Sequence, residues 1–223
     1  MYIFYQILSE ISLLVLDPVL SVLTMFVSQH ELKGRGEGQK IVIVERWLSM
    51  NIRHVYWKHF LESMGYNAHL VNFPLREGSF EDSAQALSQY LEKHNLTNIT
   101  LVGISSGALT SLVYLQEYNG WKRVDKFVPV GAPFRGTWMA LVLFFSYSGR
   151  MLLPVSPLIK KISKYTILNP EKIYCVRAKF DEMVPTGSVL PGTHKITLNV
   201  IGHNNLHIRV RATYRKIMEF ARE

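Results

Sequence analysis

Three side chains in this sequence could together activate a hydroxyl for attack on a carbonyl. They are a serine at a tight bend and a carboxylate and a histidine that each follow a hydrophobic strand. The serine lies in Asn98-Ile99-Thr100-Leu101-Val102-Gly103-Ile104-Ser105-Ser106-Gly107-Ala108-Leu109. The first half of that stretch reads as a buried β-strand and the second as a helix continuing to Glu117. Between them the turn is so tight that the neighbours of Ser105 must be small, and Gly103 and Gly107 supply the room. Ser105 is left at the strained apex with its hydroxyl exposed. The backbone N–H of Ser106 opens the helix, where the helix dipole favours a developing oxyanion. The same pentapeptide also occurs as an ordinary strand-to-helix loop, and the flanking strand and helix are what favour the reactive reading.

A serine hydroxyl is a poor nucleophile unless a histidine takes its proton and a carboxylate holds that histidine. Lys172-Ile173-Tyr174-Cys175-Val176-Arg177-Ala178 reads as a strand, followed by Lys179-Phe180-Asp181-Glu182-Met183-Val184-Pro185. Ile196-Thr197-Leu198-Asn199-Val200 reads as the next strand, followed by Ile201-Gly202-His203-Asn204-Asn205-Leu206. Both polar candidates lie just past strand ends, where open parallel sheets bind ligands. Asp181 would orient the imidazole and His203 would be the base. Glu182 competes with Asp181, and a lone Asp after a strand is often a turn residue. His207 competes with His203 but falls inside a predicted helix. His30, His54, His59, His69, His94 and His194 lack a strand-end setting, and most read as surface residues.

From about Ile41 to the C-terminus the chain resembles the lipase-type α/β-hydrolases, and most closely small bacterial lipases of minimal fold. The resemblance rests on Leu101 to Gly107, on Phe180 to Pro185, on Ile201 to Leu206 and on Val128-Pro129-Val130-Gly131-Ala132-Pro133-Phe134-Arg135-Gly136-Thr137. It implies the chain order Ser, then Asp or Glu, then His for the triad, which this sequence has. It also implies a second oxyanion donor after the first core strand, where lipases usually carry His-Gly. Here Ile41-Val42-Ile43-Val44 is followed by Glu45-Arg46-Trp47. Trp47 occupies the donor position, and Arg46 replaces the glycine that lets the backbone bend. A missing donor typically costs a few kcal/mol of transition-state stabilisation. The alternative is a packing role for Trp47 and a local ion pair between Glu45 and Arg46.

The elements that would position these groups alternate between strand and helix. The expected fold is α/β, an α/β-hydrolase fold with a mostly parallel sheet of about six strands, helices on both faces, and apolar helices at the N-terminus. Val55 to Met64 is a helix ended by Gly65. Ala68 to Val71 is a strand. Ser83 to His94 is amphipathic, with Ala84, Leu87 and Leu91 on one face. Lys126 to Val130 is a strand, and Arg211 to Arg222 is a closing helix. The 223 residues and 48% apolar content suit one such domain at 41–223. Cys175 is the single cysteine, so no disulfide framework exists.

Residues 1–40 read as an apolar helical segment and a basic linker. Tyr2 to Val27 is apolar apart from Gln6, Glu10, Asp17 and a few small hydroxyl residues. Asp17 as N-cap and Pro18 at the first helical position divide it into two shorter helices, which could lie in the interface, pack on the domain or span as a bent segment. Lys33-Gly34-Arg35-Gly36-Glu37-Gly38-Gln39-Lys40 reads as flexible. The net charge is +8, and Arg209, Arg211, Arg215, Lys216 and Arg222 cluster near the C-terminus. No nucleic-acid motif accompanies them, so the expected partner is a membrane surface. The localisation expected is membrane-associated. If the N-terminus spans, Lys33, Arg35 and Lys40 place the catalytic domain on the cytoplasmic side.

The insertion at 134–165 is lid-like and far more apolar than a loop should be, with Trp138, Leu141, Phe144 and Phe145 as candidate substrate-binding residues. A buried core helix is the alternative. The function expected is hydrolysis of a carboxylic ester, with a small-molecule ester or an acyl-chain lipid as substrate. Ser105, His203 and Asp181 would form the triad, and Ser106 and Trp47 the oxyanion hole. No metal or organic cofactor is implied. Acyl transfer on the same triad is a second reading. A non-catalytic hydrolase-fold protein that binds a lipid or a partner is the third.

Overall fold

The apolar runs at the centre of the chain form a parallel sheet whose inner strands are buried on both faces, so they show no polar alternation. A computed structural model describes residues 2–24, 31–46, 52–73, 78–185 and 188–208. Its six parallel strands are β2 (Lys40–Glu45), β3 (Asn67–Asn72), β4 (Ile99–Ile104), β5 (Val124–Val130), β6 (Tyr174–Phe180) and β7 (His194–Ile201). A seventh, β1 (Glu31–Leu32), pairs antiparallel with β3 at the edge. Two residues are too short to leave a hydrophobic pattern, which is why the sequence yields six strands. The order is β1-β3-β2-β4-β5-β6-β7. It reverses direction between β2 and β4, and the C-terminal ends of those two strands flank the place where such sheets bind ligands.

Alternate residues of each strand enter different cores. Val42, Val44 and Leu101 join the apolar faces of α3 (Phe80–Lys93), α4 (Ser106–Glu117) and α6 (Pro157–Ile162). Ile41, Ile43 and Val102 join Trp57 and Leu61 of α2 (Ile52–Ser63) and Leu206 of α7 (His203–Ile208). Ala84, Leu87 and Leu91 form the buried stripe of α3 that their spacing predicts. A capping box starts this helix, with Asp82 N–H donating to Ser79 Oγ at 3.0 Å and Ser79 N–H to Asp82 Oδ2 at 2.7 Å. Cys175 is buried in β6.

The insertion packs by its inner face and exposes its outer one. Ala140, Leu152, Leu153, Leu158 and Ile159 are core residues, whereas Trp138, Leu141, Phe144 and Phe145 are exposed. Its elements are a 3₁₀ turn at Trp138–Leu143, α5 (Tyr147–Met151) and α6.

The N-terminal segment differs from expectation. It is one helix, α1 (Tyr2–Thr24), running through Asp17-Pro18. A proline removes one intrahelical bond, which does not always end a helix. Gln6 and Glu10 of α1 are buried against the domain, while Ile3, Phe4, Leu8, Ile11 and Val15 are exposed. The expectation of membrane association with a cytoplasmic catalytic domain is thereby overturned. Among the described residues no helix is long and apolar enough to cross a membrane. Gln6, Ser9 and Glu10, which interrupt the apolar run, bond α1 to the rest of the chain. The orientation drawn from Lys33, Arg35 and Lys40 falls with the span. Lys33 to Gln39 has no regular structure, and Arg35 N–H donates to Glu62 Oε1 at 3.0 Å. Trp47, His30 and the basic cluster from Arg209 to Arg222 lie outside the described residues.

Candidate active site

The turn after β4 places Ser105 at φ 49° and ψ −119°, a left-handed conformation that few residues without a glycine's freedom adopt. Holding it there costs on the order of 1–3 kcal/mol, which the surrounding structure must offset. Ser105 N–H donates to Val130 O at 2.9 Å and Ala108 N–H to Ser105 O at 3.1 Å, so both sides of the bend are fixed. α4 then passes so close to the end of β2 that a Cβ on Gly107 would collide with the Val44 carbonyl. This close passage is the physical reason for the second glycine of Gly-x-Ser-x-Gly.

The other two groups converge on Ser105 from β6 and β7. His203 Nε2 is 3.0 Å from Ser105 Oγ, and His203 Nδ1 is 2.9 Å from Asp181 Oδ2 and 3.0 Å from Oδ1. Asp181 Oδ1 also accepts from the N–H groups of Val184 at 2.8 Å and Met183 at 3.1 Å. Burial alone would raise the Asp181 pKa, but the facing His203 and these two N–H groups hold it below the usual carboxylate value. An ionised carboxylate only accepts, so Nδ1 carries the imidazole proton and Nε2 is left to accept from the Ser105 hydroxyl. Burial opposes protonation of His203, but the Asp181 carboxylate outweighs it and the His203 pKa is raised.

The competing candidates take other places. Glu182 accepts from the His203 backbone N–H at 3.2 and 3.3 Å rather than from the imidazole. Burial, then the nearby Glu10, push the Glu182 carboxyl up to about 7. His207 follows one turn along α7 with its ring 4.6 Å from that of His203, edge to face. His54 and His69 are buried, against the expectation that most remaining histidines lie on the surface. His54 Nδ1 pairs with Glu45, and His69 Nδ1 lies 2.8 Å from Tyr90 Oη.

Glu45 and Arg46 do not form the local ion pair expected of neighbours. The Arg46 guanidinium is buried, reaching Gly78 O at 2.9 Å, Ser79 O at 3.3 Å, Ser148 Oγ at 2.9 Å and Ser83 Oγ. It also lies 4.4 Å from the Phe80 ring centre. Burial lowers its pKa to about 10. Ser106 Oγ donates to Arg46 O at 2.9 Å, tying the loop after β2 to the elbow. Thr137 Oγ1 donates to Met183 O and so joins the insertion to the loop carrying Asp181. Among the described residues no group of three or more His, Cys, Asp or Glu side chains could hold a metal ion.

The sequence reading missed Gln6, Ser9, Glu10 and Asn205. Gln6 Oε1 accepts from Ile201 N–H at 2.6 Å, and Ser9 Oγ donates to Asn205 Oδ1 at 2.9 Å. Asn205 Nδ2 donates to Gln6 O at 2.7 Å. The available signal was the spacing of Gln6, Ser9 and Glu10, which places three polar groups on one face of an otherwise apolar helix.

No known family model matches the sequence, and no curated protein matches it either. Solved structures do match. The mature lipase BlEst2 of Bacillus licheniformis superposes with a TM-score of 0.64 at 15% identity, covering 85% of this chain and 97% of that one. A monoacylglycerol lipase of Paleococcus ferrophilus gives 0.65 at 13% identity, covering 85% and 96%. A bromoperoxidase of Bacillus anthracis gives 0.62 at 16% identity, covering 86% and 95%. The chain therefore has the α/β-hydrolase fold, as the sequence predicts. The differing activities among these relatives place the burden of a functional reading on the site itself.

Proposed function

We propose that this protein is a serine hydrolase of carboxylic esters, with a small or lipid-like ester as substrate and kinship to small bacterial lipases. The unbroken hydrogen-bond line from Ser105 Oγ through His203 to Asp181, set on a strained elbow, carries this reading. Ser105 Oγ attacks the carbonyl carbon while its proton passes to His203 Nε2. Asp181 stabilises the imidazolium. The carbonyl oxygen becomes an oxyanion held by the Ser106 N–H at the start of α4 and by the Trp47 N–H. Collapse breaks the ester C–O bond, and the leaving alkoxide takes the proton from His203. Water then attacks the acyl-serine by the same steps in reverse roles, returning the proton to Ser105.

Trp138, Leu141, Phe144 and Phe145 supply an apolar wall for the acyl chain. Their exposure and the Thr137–Met183 bond, which anchors their segment beside the acid loop, support this role. A binding-only protein would not need an ionised aspartate fixing the tautomer of a histidine aimed at a strained serine. Acyl transfer uses the same acyl-serine and differs only in the acceptor. Turnover of nitrophenyl esters of increasing acyl length tests the reading. Wild type should release nitrophenol, Ser105→Ala should not, and Phe145→Ala should raise KM most for the longer chains. Equal turnover by wild type and Ser105→Ala would overturn it.

A further inference from the structure

Glu10 is far from the triad in sequence, yet its carboxylate closes on the segment that carries the histidine. Oε1 accepts from Asn204 N–H at 2.8 Å and Oε2 from Asn205 N–H at 2.7 Å. On the other side, Glu182 accepts from His203 N–H. Two carboxyl groups from separate elements thus hold the amides of three consecutive residues, of which the first is His203.

We propose that Glu10 is a positioning residue for His203, and that α1 and Glu182 form a clamp that sets the imidazole against Ser105. The inference rests on the reading of Ser105, His203 and Asp181 as catalytic. Three further observations support it. Gly202 has φ 105°, and a Cβ there would fall on the Glu10 carboxylate. The residue before His203 is therefore a glycine both for its backbone and for the room Glu10 requires. Glu10 is also buried, and a buried carboxylate is costly unless it is hydrogen-bonded, so an anchoring helix would not place one there without need. Lastly, Glu182 lies close enough to Glu10 that, after burial, the Glu10 charge helps to push its carboxyl up to about 7.

Among the described residues, the groups facing Glu182 are Glu10 from α1 and His203 from α7, with Asp181 adjacent and bonded to His203. His207 packs on the His203 ring. Below pH 7 Glu182 is neutral and does not repel Glu10, so the clamp is closed. As pH rises through about 7 Glu182 loses its proton, and two negative charges then face each other beside the histidine. The imidazole is held by Asp181 alone once the backbone clamp loosens.

The test compares wild type, Glu10→Gln and Glu10→Ala as full chains. The readouts are kcat and KM on a short water-soluble ester from pH 6 to 9 and amide exchange at Asn204 and Asn205. Glu10→Ala should lose on the order of 10²-fold in kcat with KM little changed, because the base is displaced rather than the substrate site. Its Asn204 and Asn205 amides should exchange faster. Glu10→Gln keeps the shape and one of the two acceptor oxygens, so it should recover part of the activity. It should also lose the decline above pH 7 expected of wild type, since one of the two charges is gone. A merely structural Glu10 would lower the folded fraction without moving the pH profile.

Wild-type kcat in Glu10→Ala, or a wild-type alkaline limb in Glu10→Gln, would overturn the clamp. Should Glu10→Ala fail to fold, the Glu10→Gln profile decides. A wild type without turnover would remove the catalytic reading instead. The clamp would then stand if Glu10→Ala releases the Asn204 and Asn205 amides and fall if it does not.

Discussion

Replacing Asp181 with asparagine separates the two roles its carboxylate plays. Asp181 Oδ1 accepts from Met183 and Val184 N–H, and both oxygens face His203 Nδ1. The amide oxygen of Asn can keep the two backbone bonds, so the loop and the fold should survive. The amide nitrogen is then left facing Nδ1. Two donors cannot bond, so the imidazole moves its proton to Nε2, where it meets the Ser105 hydroxyl instead of accepting from it. The serine proton then has nowhere to go. Such a tautomer reversal costs about 10⁴ in kcat, equivalent to ~5.5 kcal/mol of transition-state stabilisation. Ester turnover and thermal unfolding, measured together, check this. The predicted result is a loss of that order with a small change in Tm. Glu182→Gln, which keeps an acceptor for the His203 amide, should be far milder. Comparable activity of wild type and Asp181→Asn, with the large loss falling on Glu182→Gln, would refute the assignment of the acid.

Further outcomes follow from the same geometry. Arg46→Met removes the guanidinium donors that reach the Gly78 and Ser79 carbonyls, Ser83 and Ser148. Leaving buried acceptors unpaired costs about 1–3 kcal/mol each, and thermal unfolding should fall by roughly 10 °C. Thr137→Val keeps the shape but loses the bond to Met183 O, a loss of about 1 kcal/mol. It should lower kcat more than Tm, since it loosens the loop of Asp181. Activity should fall as pH drops through the raised His203 pKa, because a protonated imidazole cannot take the serine proton. Asp181→Asn should shift that acid limb downward. In stability, the raised His203 contributes below the ordinary histidine value and fades as pH rises through its folded value. The depressed Asp181 contributes above the ordinary carboxylate value and fades as acid protonates it. Denaturant titrations across pH check both signs.

The elements nearest the chemistry were the most legible in the sequence. β4 and the elbow are written in a run of apolar residues ending in Gly-x-Ser-x-Gly, whose glycines leave room for Ala108 and for the Val44 carbonyl. Asp181 and His203 were readable because each directly follows a strong strand. The choice between Asp181 and Glu182 was not readable. Adjacent carboxylates differ only in which way the loop turns them, and the Met183 and Val184 amides decide that. Arg46 looked like half of a local ion pair because its partners, at Gly78, Ser79, Ser83 and Ser148, lie far along the chain. α1 was misread for a related reason. Hydropathy counts Gln6 and Glu10 as blemishes in an apolar span, whereas tertiary contacts make them its inward face. Nothing local reveals that amides nearly two hundred positions away at Ile201, Asn204 and Asn205 receive them.

The central claim is that Ser105 is an activated nucleophile. A fluorophosphonate reports this whatever the true substrate is, because it phosphonylates only a serine whose proton a neighbouring base removes. The measurement is intact-mass analysis of the full chain after exposure to the probe, with the adduct localised by peptide sequencing. The account predicts one adduct per chain, located on Ser105 and missing from Ser105→Ala and, at matched times, from His203→Ala. A folded wild-type protein that takes up no probe, or takes it up on another residue, would contradict it.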